Sequence, residues 1–303
     1  MGERSAIEWT DATWNPVTGC SLASPGCTNC YAMKLAATRL RNHPSRRGLT
    51  KWSNGHSVWT GEVRFNEQWL RQPVKWKEPR QIFVCAHGDL LHEDVPDEWI
   101  DRAFDVMREA DWHTYQVLTK RDKRLLEYFG QTAPQRHIWL GVSVEDQVRA
   151  DARRNSLMAL AWNGWTTFCS YEPALGSVDW AGWEFLRWLI SGGENGPRPT
   201  HPDWHRTARD FCAAHGVAYH FKQWGSWTVI VDRDRDDPDW RADYTVINRN
   251  YAKDGKPQYR ILNLAGGCGF HGERVHLMRY VGKKAAGRLL DGVEHNGMPG
   301  AKP

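Results

Sequence analysis

Residues 113–144, HTYQVLTKRDKRLLEYFGQTAPQRHIWLGVSV, contain two short apolar runs separated by a helix-like segment. The runs at 113–119 and 137–144 are rich in β-branched and aromatic residues and free of proline, as buried parallel strands tend to be. The segment between them, at 120–130, ends in a glycine, which is a common helix stop. The stretch therefore predicts one strand–helix–strand unit of a parallel sheet.

The same alternation continues on both sides of this unit. Further apolar runs of the same kind are QIFVCA (81–86), WTTFCSY (165–171), FLRWLIS (185–191) and VAYHFKQW (217–224). Helix-like segments lie between the runs, at 96–110, 146–161 and 201–216. Because alternating strands and helices form parallel sheets, the sequence predicts an α/β fold, a full or partial (β/α) TIM-like barrel with a C-terminal extension.

The amino-acid composition changes after KQWGSW at 222–227. The remainder is charged and turn-rich, with short strand-like pieces such as YRILNL and RVHLMRYV and a loose basic tail. We therefore expect a barrel over residues 1–227 and a C-terminal extension or lid over residues 228–303.

Composition places the chain among soluble globular proteins, with 41% hydrophobic and 25% charged residues in 303. No run of about eighteen apolar residues occurs, so neither a membrane span nor a membrane partner is expected. The N-terminus, MGERSAIEWTD, contains no apolar signal region, which predicts a cytoplasmic protein. The formal net charge of +4 permits nucleic-acid binding without requiring it.

Three of the seven cysteines lie together in residues 13–32, TWNPVTGCSLASPGCTNCYA. They are Cys20, Cys27 and Cys30, spaced C-x6-C-x2-C, with no fourth cysteine nearby. A structural zinc site normally takes four ligands, whereas an iron–sulfur cluster is held by thiolates, also usually four. Three thiolates leave one iron of a 4Fe–4S cluster with an open position, which a substrate or S-adenosylmethionine (SAM) can take. Cys85, Cys169 and Cys212 are interpreted instead as core or packing residues.

The cysteine loop is expected to lie at the mouth of the barrel. A strand-like segment near 6–9 precedes it and a helix-like segment at 31–42 follows it, which predicts the first strand-to-helix loop. Polar residues also follow the other predicted strands, at the carboxyl ends where barrels carry their chemistry. For any one of them a helix cap is at least as good an explanation, but together they predict an active site.

The three-cysteine loop ahead of a helix, followed by β/α units, resembles the radical SAM superfamily, whose commonest spacing is three residues shorter between the first two cysteines. The chain is more closely similar to a phage- and prophage-associated three-cysteine family of unknown function, itself distantly like spore photoproduct lyase. The phrases that carry this resemblance are IEWTDATWNPVTGC, GDLLHEDVPDEWID, VLTKR, WLGVSVED, EPALGSVD, SGGENGPRP, HPDWHR, FKQWG and VGKKAAGRLLDG. The resemblance implies that Cys20, Cys27 and Cys30 ligate a 4Fe–4S cluster.

The resemblance also implies where SAM binds. Asp89, after the second predicted strand, is the candidate contact for the SAM amino group, and Ser143 and Glu145, after the fourth, are candidates for the SAM ribose. Lys120 is the candidate partner of the SAM carboxylate or of a substrate phosphate, with a solvated loop lysine as the alternative. The Gly-Gly-Glu at 192–194 has the letters of a superfamily motif but follows a later strand, so it is interpreted as substrate-side or structural.

The leading hypothesis is therefore a radical SAM enzyme that modifies or repairs a nucleic-acid base or nucleotide. Glu172, Glu194, Lys222 and Gln223 would hydrogen-bond the base or move protons, and a donor such as flavodoxin or ferredoxin would supply electrons. The basic stretch RLRNHPSRRGLTK at 39–51 is a candidate track for a phosphate backbone, with a solvated loop as the alternative.

A second hypothesis comes from another class of protein. In a nucleic-acid-binding protein without catalysis, the three cysteines and a histidine such as His43 would hold a structural zinc ion. This hypothesis predicts one colourless zinc ion per chain and unfolding by chelators. It leaves the series of strand-to-helix units with polar ends unexplained.

Overall fold

Strands and helices alternate along the chain, as the apolar runs predict. The computed structural model describes residues 5–234, 259–264 and 274–300. In that part of the chain the strands are β1 Ala12–Trp14, β2 Val17–Thr18, β3 Thr50–Ser53, β4 His56–Trp59, β5 Arg64–Phe65, β6 Gln81–Val84, β7 Thr114–Thr119, β8 Ile138–Ser143, β9 Thr166–Tyr171, β10 Trp188–Gly192, β11 Ala218–Gln223, β12 Trp227–Asp234, β13 Tyr259–Leu262 and β14 Arg274–Tyr280. The helices are α1 Tyr31–Ala37, α2 Glu67–Leu70, α3 Gln72–Lys75, α4 Asp97–Glu109, α5 Asp122–Phe129, α6 Gln147–Trp162, α7 Pro202–His215 and α8 Lys283–Ala286.

Seven of the strands form one sheet in the order β1-β6-β7-β8-β9-β10-β11. From β7 to β11 each strand lies beside the one that precedes it in the chain, and α4, α5, α6 and α7 each cross from one parallel strand to the next. The sheet has two edges, β1 and β11, so the barrel is open. The predicted α/β class is confirmed, in the form of a partial (β/α) barrel.

The strands of this sheet could be predicted from the sequence because they are buried, uninterrupted apolar runs. Every residue of β8 is buried, and all but the first residue of β9. Gly141 in β8 leaves room for its neighbour, because a Cβ atom there would lie 2.5 Å from the ring of Phe168 in β9. The pairing of β8 with β9 therefore depends on a small residue in one strand facing an aromatic residue in the other.

The chain forms two compact units that interleave along the sequence. Unit 1 contains Met1–Ser143, Asp151–Ser170 and Phe185–Arg187, and unit 2 contains Val144–Ala150, Tyr171–Glu184 and Trp188–Pro303. The domain boundary expected at residue 227 stays a prediction, and much of 228–303 lies outside the described residues.

Two predicted elements differ from the structure. The segment near 6–9 is not a strand, and the first strand is β1, at Ala12–Trp14. Trp9 is buried because its ring packs on that of Phe83, with the two ring centroids 4.8 Å apart. The helix predicted over 31–42 ends at Ala37, where the C-cap residue Thr38 leaves helical geometry. At Trp9, tertiary packing rather than a regular element accounts for the apolar residue.

Unit 2 contains a small antiparallel sheet in the order β12-β14-β13. In the same unit, residues 293–297 run along edge strand β11. The Phe221 N–H donates to the His295 carbonyl at 3.0 Å, and the Gly297 N–H donates to the Tyr219 carbonyl at 2.8 Å. No helix in the described part of the chain combines the length and apolar character needed to cross a membrane.

Candidate metal centre

The three cysteines lie on the loop between β2 and α1, in unit 1. Cys20 follows β2 after a single residue, Cys27 ends the short 3-10 turn Pro25–Cys27, and Cys30 is the N-cap residue of α1. The Cys30 N–H donates to the Cys27 carbonyl at 3.3 Å, so the C-x2-C pair forms part of one continuous turn. The loop after a strand thus becomes the start of a helix within the span of the motif.

A close approach of two glycines fixes the position of Cys20. Gly19 pairs with Gly88 in an isolated parallel bridge, and the Gly19 N–H donates to the His87 carbonyl at 3.2 Å. Gly19 has a φ of +96°, and a Cβ atom there would lie 2.1 Å from the Glu62 carbonyl oxygen. Only glycine fits this position without a shift, and the contact holds the cysteine loop beside the loop that follows β6.

All three cysteines line one cavity of about 140 Å³. A single water needs roughly 10–15 Å³ measured in this way, so the cavity has room for considerably more than one or two waters. Its other lining residues are Ser21, Tyr31, Ala32, Trp59, Phe83, Cys85, Ala86, Gly88, Asp89, Leu118, Thr119, Lys120, Arg121 and Ser143. The cavity therefore combines thiols, a carboxylate and cations with aromatic and aliphatic walls.

Asp89 is held by donors from the end of β7. The Thr119 hydroxyl donates to Oδ1 at 2.8 Å, and the Arg121 guanidinium donates to Oδ2 at 3.0 Å. Both Asp89 and Arg121 are buried. The same guanidinium donates to the Cys20 Sγ at 3.4 Å and to the Ser21 Oγ at 2.7 Å, so one side chain connects the carboxylate with the cysteine loop.

Two of the thiols, those of Cys20 and Cys30, sit in an environment that opposes their ionisation. Burial, together with Asp89 and the thiols of Cys27 and Cys30, raises the pKa of Cys20 to about 12, although Arg121 acts in the opposite direction. Burial also raises the pKa of Cys30, against backbone N–H groups at the start of α1. Thiolates that line one cavity repel one another, so a cation placed among them is what would hold all three ionised. This chemistry fits a metal-based group.

The zinc hypothesis requires the three sulfurs and a histidine nitrogen to lie close together. A tetrahedral zinc ion with Zn–S bonds of about 2.3 Å brings its sulfurs to roughly 3.8 Å of one another. Among the described residues, the group whose potential ligand atoms all lie within 4.8 Å of one another is His201, Asp203 and His276, not the three cysteines. His43, the fourth ligand of the zinc hypothesis, instead bonds the Ser45 hydroxyl through Nδ1 at 2.7 Å.

The other residues predicted for SAM are divided between the two units. Lys120 and Ser143 line the cysteine cavity together with Asp89. Glu145 does not line it; this residue belongs to unit 2, where it is buried and its carbonyl accepts the Leu175 N–H at 2.8 Å. The structure therefore brings three of the four predicted residues together with the cysteines, and their roles stay predictions.

A family model described as "Protein of unknown function (DUF5131)" matches residues 4–299. The chain belongs to this family. A search of curated proteins finds no match.

Solved structures of spore photoproduct lyase are similar to this member of the family. A mutant with bound AdoMet and dinucleoside spore photoproduct is 13% identical, with a TM-score of 0.41 over 88% of this chain and 68% of that one. A second mutant is 11% identical, with a TM-score of 0.42 over the same shares, and a complex with dinucleoside spore photoproduct is 12% identical, with a TM-score of 0.39 over 87% and 66%. At these identities and TM-scores the likeness assigns no activity.

The residues predicted for catalysis in this family member lie in unit 2. The Lys222 ammonium lies 2.8 Å from the Glu172 Oε1, both side chains are largely buried, and the Gln223 amide is 3.5 Å from the same carboxylate. Glu194 accepts from Arg198, with Nε to Oε2 at 3.0 Å. Gly193 is needed for packing, because a Cβ atom there would lie 2.2 Å from the Trp224 carbonyl oxygen. The glycine before Glu194 in the Gly-Gly-Glu run is thus explained by close backbone approach.

Sequence reasoning missed the part played by Arg121. Arg121 follows Lys120 at the end of β7, and only the pairing of β6 with β7 brings it beside Asp89. Burial lowers the pKa of its guanidinium, but Asp89, Cys20 and Glu93 outweigh burial and raise it above the usual value. The sequence did contain one signal for such a partner. Asp89 was expected at the end of a buried strand, and a carboxylate there needs a cation nearby.

The sequence also did not predict a histidine cluster in unit 2. The His276 Nε2 lies 3.3 Å from Asp203 and its Nδ1 lies 2.9 Å from Asp232, while Arg206 contacts both carboxylates. His201 caps α7 by accepting the Asp203 N–H at 3.1 Å. An ion network between α7, β12 and β14 accounts for this cluster without a metal ion.

Proposed function

We propose that the chain is a radical SAM enzyme, in which Cys20, Cys27 and Cys30 hold a 4Fe–4S cluster and the adjoining cavity binds SAM. The observation that carries the proposal is the common lining of one cavity by the three thiols, Asp89, Lys120 and Ser143. When bound, the cluster and SAM supply the reductive cleavage that generates a radical, with the electron coming from a carrier such as a flavodoxin or a ferredoxin.

Charge placement in the cavity suits an amino acid moiety. The Asp89 carboxylate is the group for an ammonium, and the Lys120 ammonium is the group for a carboxylate. Asp89 already accepts from Thr119 and Arg121, so its orientation is set before any ligand arrives. Such preorganisation lowers the cost of ordering the site on binding.

Aromatic and aliphatic side chains form part of the cavity wall. Tyr31, Trp59, Phe83 and Leu118 line it, and the Tyr31 hydroxyl donates to the Ala86 carbonyl at 2.6 Å, which holds the ring against the loop after β6. These side chains limit the access of water to the thiols. A reactive radical needs such exclusion, since water and oxygen divert it into side reactions.

The substrate proposed is a nucleic-acid base or nucleotide. The paired Glu172 and Lys222, with Gln223 beside them, offer a carboxylate, an ammonium and an amide for hydrogen bonds to a base edge or for proton transfer. Glu194 is a further acid in the same unit. A base within a duplex would have to leave the stack to be reached.

The proposal is tested on protein purified without oxygen. Wild type is expected to hold about four iron and four sulfide per chain and to release 5′-deoxyadenosine from SAM with dithionite. Cys27→Ala is expected to lose the iron and the product, whereas Cys212→Ala, which removes a buried thiol on α7 in unit 2, keeps both. Wild type without iron and sulfide after reconstitution overturns the cluster; a full cluster that releases no 5′-deoxyadenosine overturns the SAM chemistry.

A further inference from the structure

The charge of the chain is concentrated around the cysteine loop. Residues 12–61 contain no Asp or Glu, although the 36 acidic residues of the 303-residue chain would place about six in a stretch of this length. The same stretch holds six cations: Lys34, Arg39, Arg41, Arg46, Arg47 and Lys51. All but Arg46 are exposed. A long acid-free segment with exposed cations is the electrostatic footprint of a polyanion-binding surface.

The exposed cations of this segment differ from other arginines of unit 1 in their partners. Arg64 and Arg71 pair with Glu62 and Glu109 at 2.7 and 2.5 Å. Within the described residues, no carboxylate pairs with the side chains at 34, 39, 41, 47 or 51. Their charge is thus available to an external anion.

A hairpin within the same segment carries an exposed indole. Strands β3 and β4 pair antiparallel around the turn Asn54–Gly55, and Trp52 on β3 is 75% exposed. Trp59 on β4, opposite Thr50, is buried and lines the cysteine cavity. Since side chains alternate along a strand, Thr50, Trp52 and Trp59 belong to one face of the hairpin. That face leads from the cavity wall to an exposed aromatic ring.

We propose that the hairpin β3–β4 and the cationic loop before it bind single-stranded nucleic acid, with Trp52 stacking on a base and Arg39, Arg41 and Arg47 contacting phosphates. The inference rests on the proposed function for its purpose, because it brings an unpaired base next to the proposed cluster. The pairing of an exposed indole with unpaired cations is the combination that single-strand binding uses. A lipid surface would need a broader apolar face than one indole.

Binding is measured by fluorescence anisotropy with labelled sixteen-nucleotide dT and rU oligomers, on metal-free protein at several salt concentrations. Trp52→Ala is expected to weaken binding about tenfold, within the range known for loss of one stacked base. The matched control is Trp162→Ala, because that indole is 73% exposed and lies at the end of α6, outside the segment. Equal affinities of the two variants would overturn the assignment of Trp52.

Charge is tested separately. Arg41→Gln with Arg47→Gln should weaken binding and reduce the slope of log K against log salt by about 0.7 for each cation removed, whereas Lys77→Gln, an exposed lysine outside the segment, should not. Thermal unfolding confirms that each variant folds. Binding of phosphatidylserine vesicles without binding of either oligomer overturns the proposal in favour of a membrane. Because binding is measured without the cluster, it is independent of whether SAM chemistry is found.

Discussion

Arg121 connects the two chemically distinct sides of the cysteine cavity. Its guanidinium donates to the Asp89 carboxylate, to the Ser21 hydroxyl and to the sulfur of Cys20. Hydrogen bonds and positive charge at a ligating sulfur raise the reduction potential of an iron–sulfur cluster. In the proposed enzyme, Arg121 would thus be a positioning residue that also adjusts how readily the cluster accepts an electron.

Replacing Arg121 tests this arrangement through stability. Arg121→Met leaves the buried Asp89 carboxylate without its cation, which is expected to reduce the free energy of unfolding by about 3 kcal/mol. Adding Asp89→Asn should recover part of the loss, because no buried charge then remains. Both are measured by urea denaturation of reduced, metal-free protein.

The control for this pair is an arginine one turn further along α5. Arg124 pairs with Asp97, whose side chain is 63% exposed, so Arg124→Met should cost less than about 1 kcal/mol. Equal losses for Arg121→Met and Arg124→Met would show that the Asp89 carboxylate does not depend on Arg121.

At the scale of elements, the turn between β2 and the cysteines determines where the loop lies. Gly19 combines a left-handed backbone with contact to the Glu62 carbonyl, whereas Gly48 has a φ of +85° and no atom within 4 Å of the Cβ position. A side chain at Gly48 would therefore meet backbone strain alone, whereas one at Gly19 would meet backbone strain and a steric clash.

Alanine at these two positions should have different consequences. Gly48→Ala is expected to cost about 1 kcal/mol from strain alone, and Gly19→Ala at least about 2 kcal/mol more, because the backbone at Glu62 must move. The difference should appear as a lower Tm for Gly19→Ala, by about 4 °C or more. Gly19→Ala should also reduce iron incorporation, since Cys20 is the next residue. Equal Tm values would show that the loop adjusts freely.

Elements that bury both faces were predictable, and short or locally paired ones were not. Strands β6 to β9 and helices α4 to α7 follow the predicted ranges closely. Each of these strands is a continuous apolar run, and each of these helices has apolar residues along one face, so both leave a clear pattern in the sequence. Strand β1 has only three residues, too few to show a period, and the helix after the cysteines stops early because Thr38 and the residues that follow turn back. Hairpin β3–β4 turns at Asn54–Gly55, a short local signal that lies outside the alternation of strands and helices.

The candidate site was predictable where chemistry is local in the sequence. The cysteine spacing and the strand-end residues Asp89, Lys120 and Ser143 were found because each lies at a recognisable position along the chain. The pairing of Asp89 with Arg121 depends on the register of β6 against β7, and the approach of Gly19 to Gly88 on two separate loops. Such contacts across the sheet leave no mark on a single sequence.

At the scale of the whole molecule, buried neutral histidines determine how stability depends on pH. Burial lowers the pKa of His201 and His205 to about 3, and that of His220 to about 4. Since these values lie below that of an unfolded chain, near 6.5, the unfolded state takes up protons first as the pH falls. Their contribution is therefore complete above about pH 6.5 and declines towards pH 3.

His276 has the opposite effect. Burial lowers its pKa, but Asp203 and Asp232 raise it more strongly, so the folded state holds a proton longer than the unfolded state as the pH rises. Its contribution is complete below about pH 6.5 and is lost as the pH rises through its folded pKa. The two effects together predict greatest stability near neutrality.

A variant at His205 tests the acid side of this profile. The free energy of unfolding should fall by about 2 kcal/mol less in His205→Gln than in wild type between pH 6.5 and pH 5. The reason is that glutamine fills the place between Ser191 and Thr200 without titrating. The same change at the exposed His56 is the control and should leave the slope unaltered. Unfolding midpoints in urea at several pH values give the slope. Parallel profiles for wild type and His205→Gln would contradict the assignment.

Residues 293–297 matter for how copies of the chain meet one another. A bare strand at the edge of a sheet offers its N–H and carbonyl groups to any other chain, and that is how aggregates begin. Along β11 those groups are already engaged by the carbonyl of His295 and the N–H of Gly297, and Gly297 lies so close that a Cβ atom there would be 2.6 Å from the Tyr219 carbonyl oxygen. This short segment thus keeps the Phe221 N–H and the Tyr219 carbonyl of β11 from pairing with a second chain.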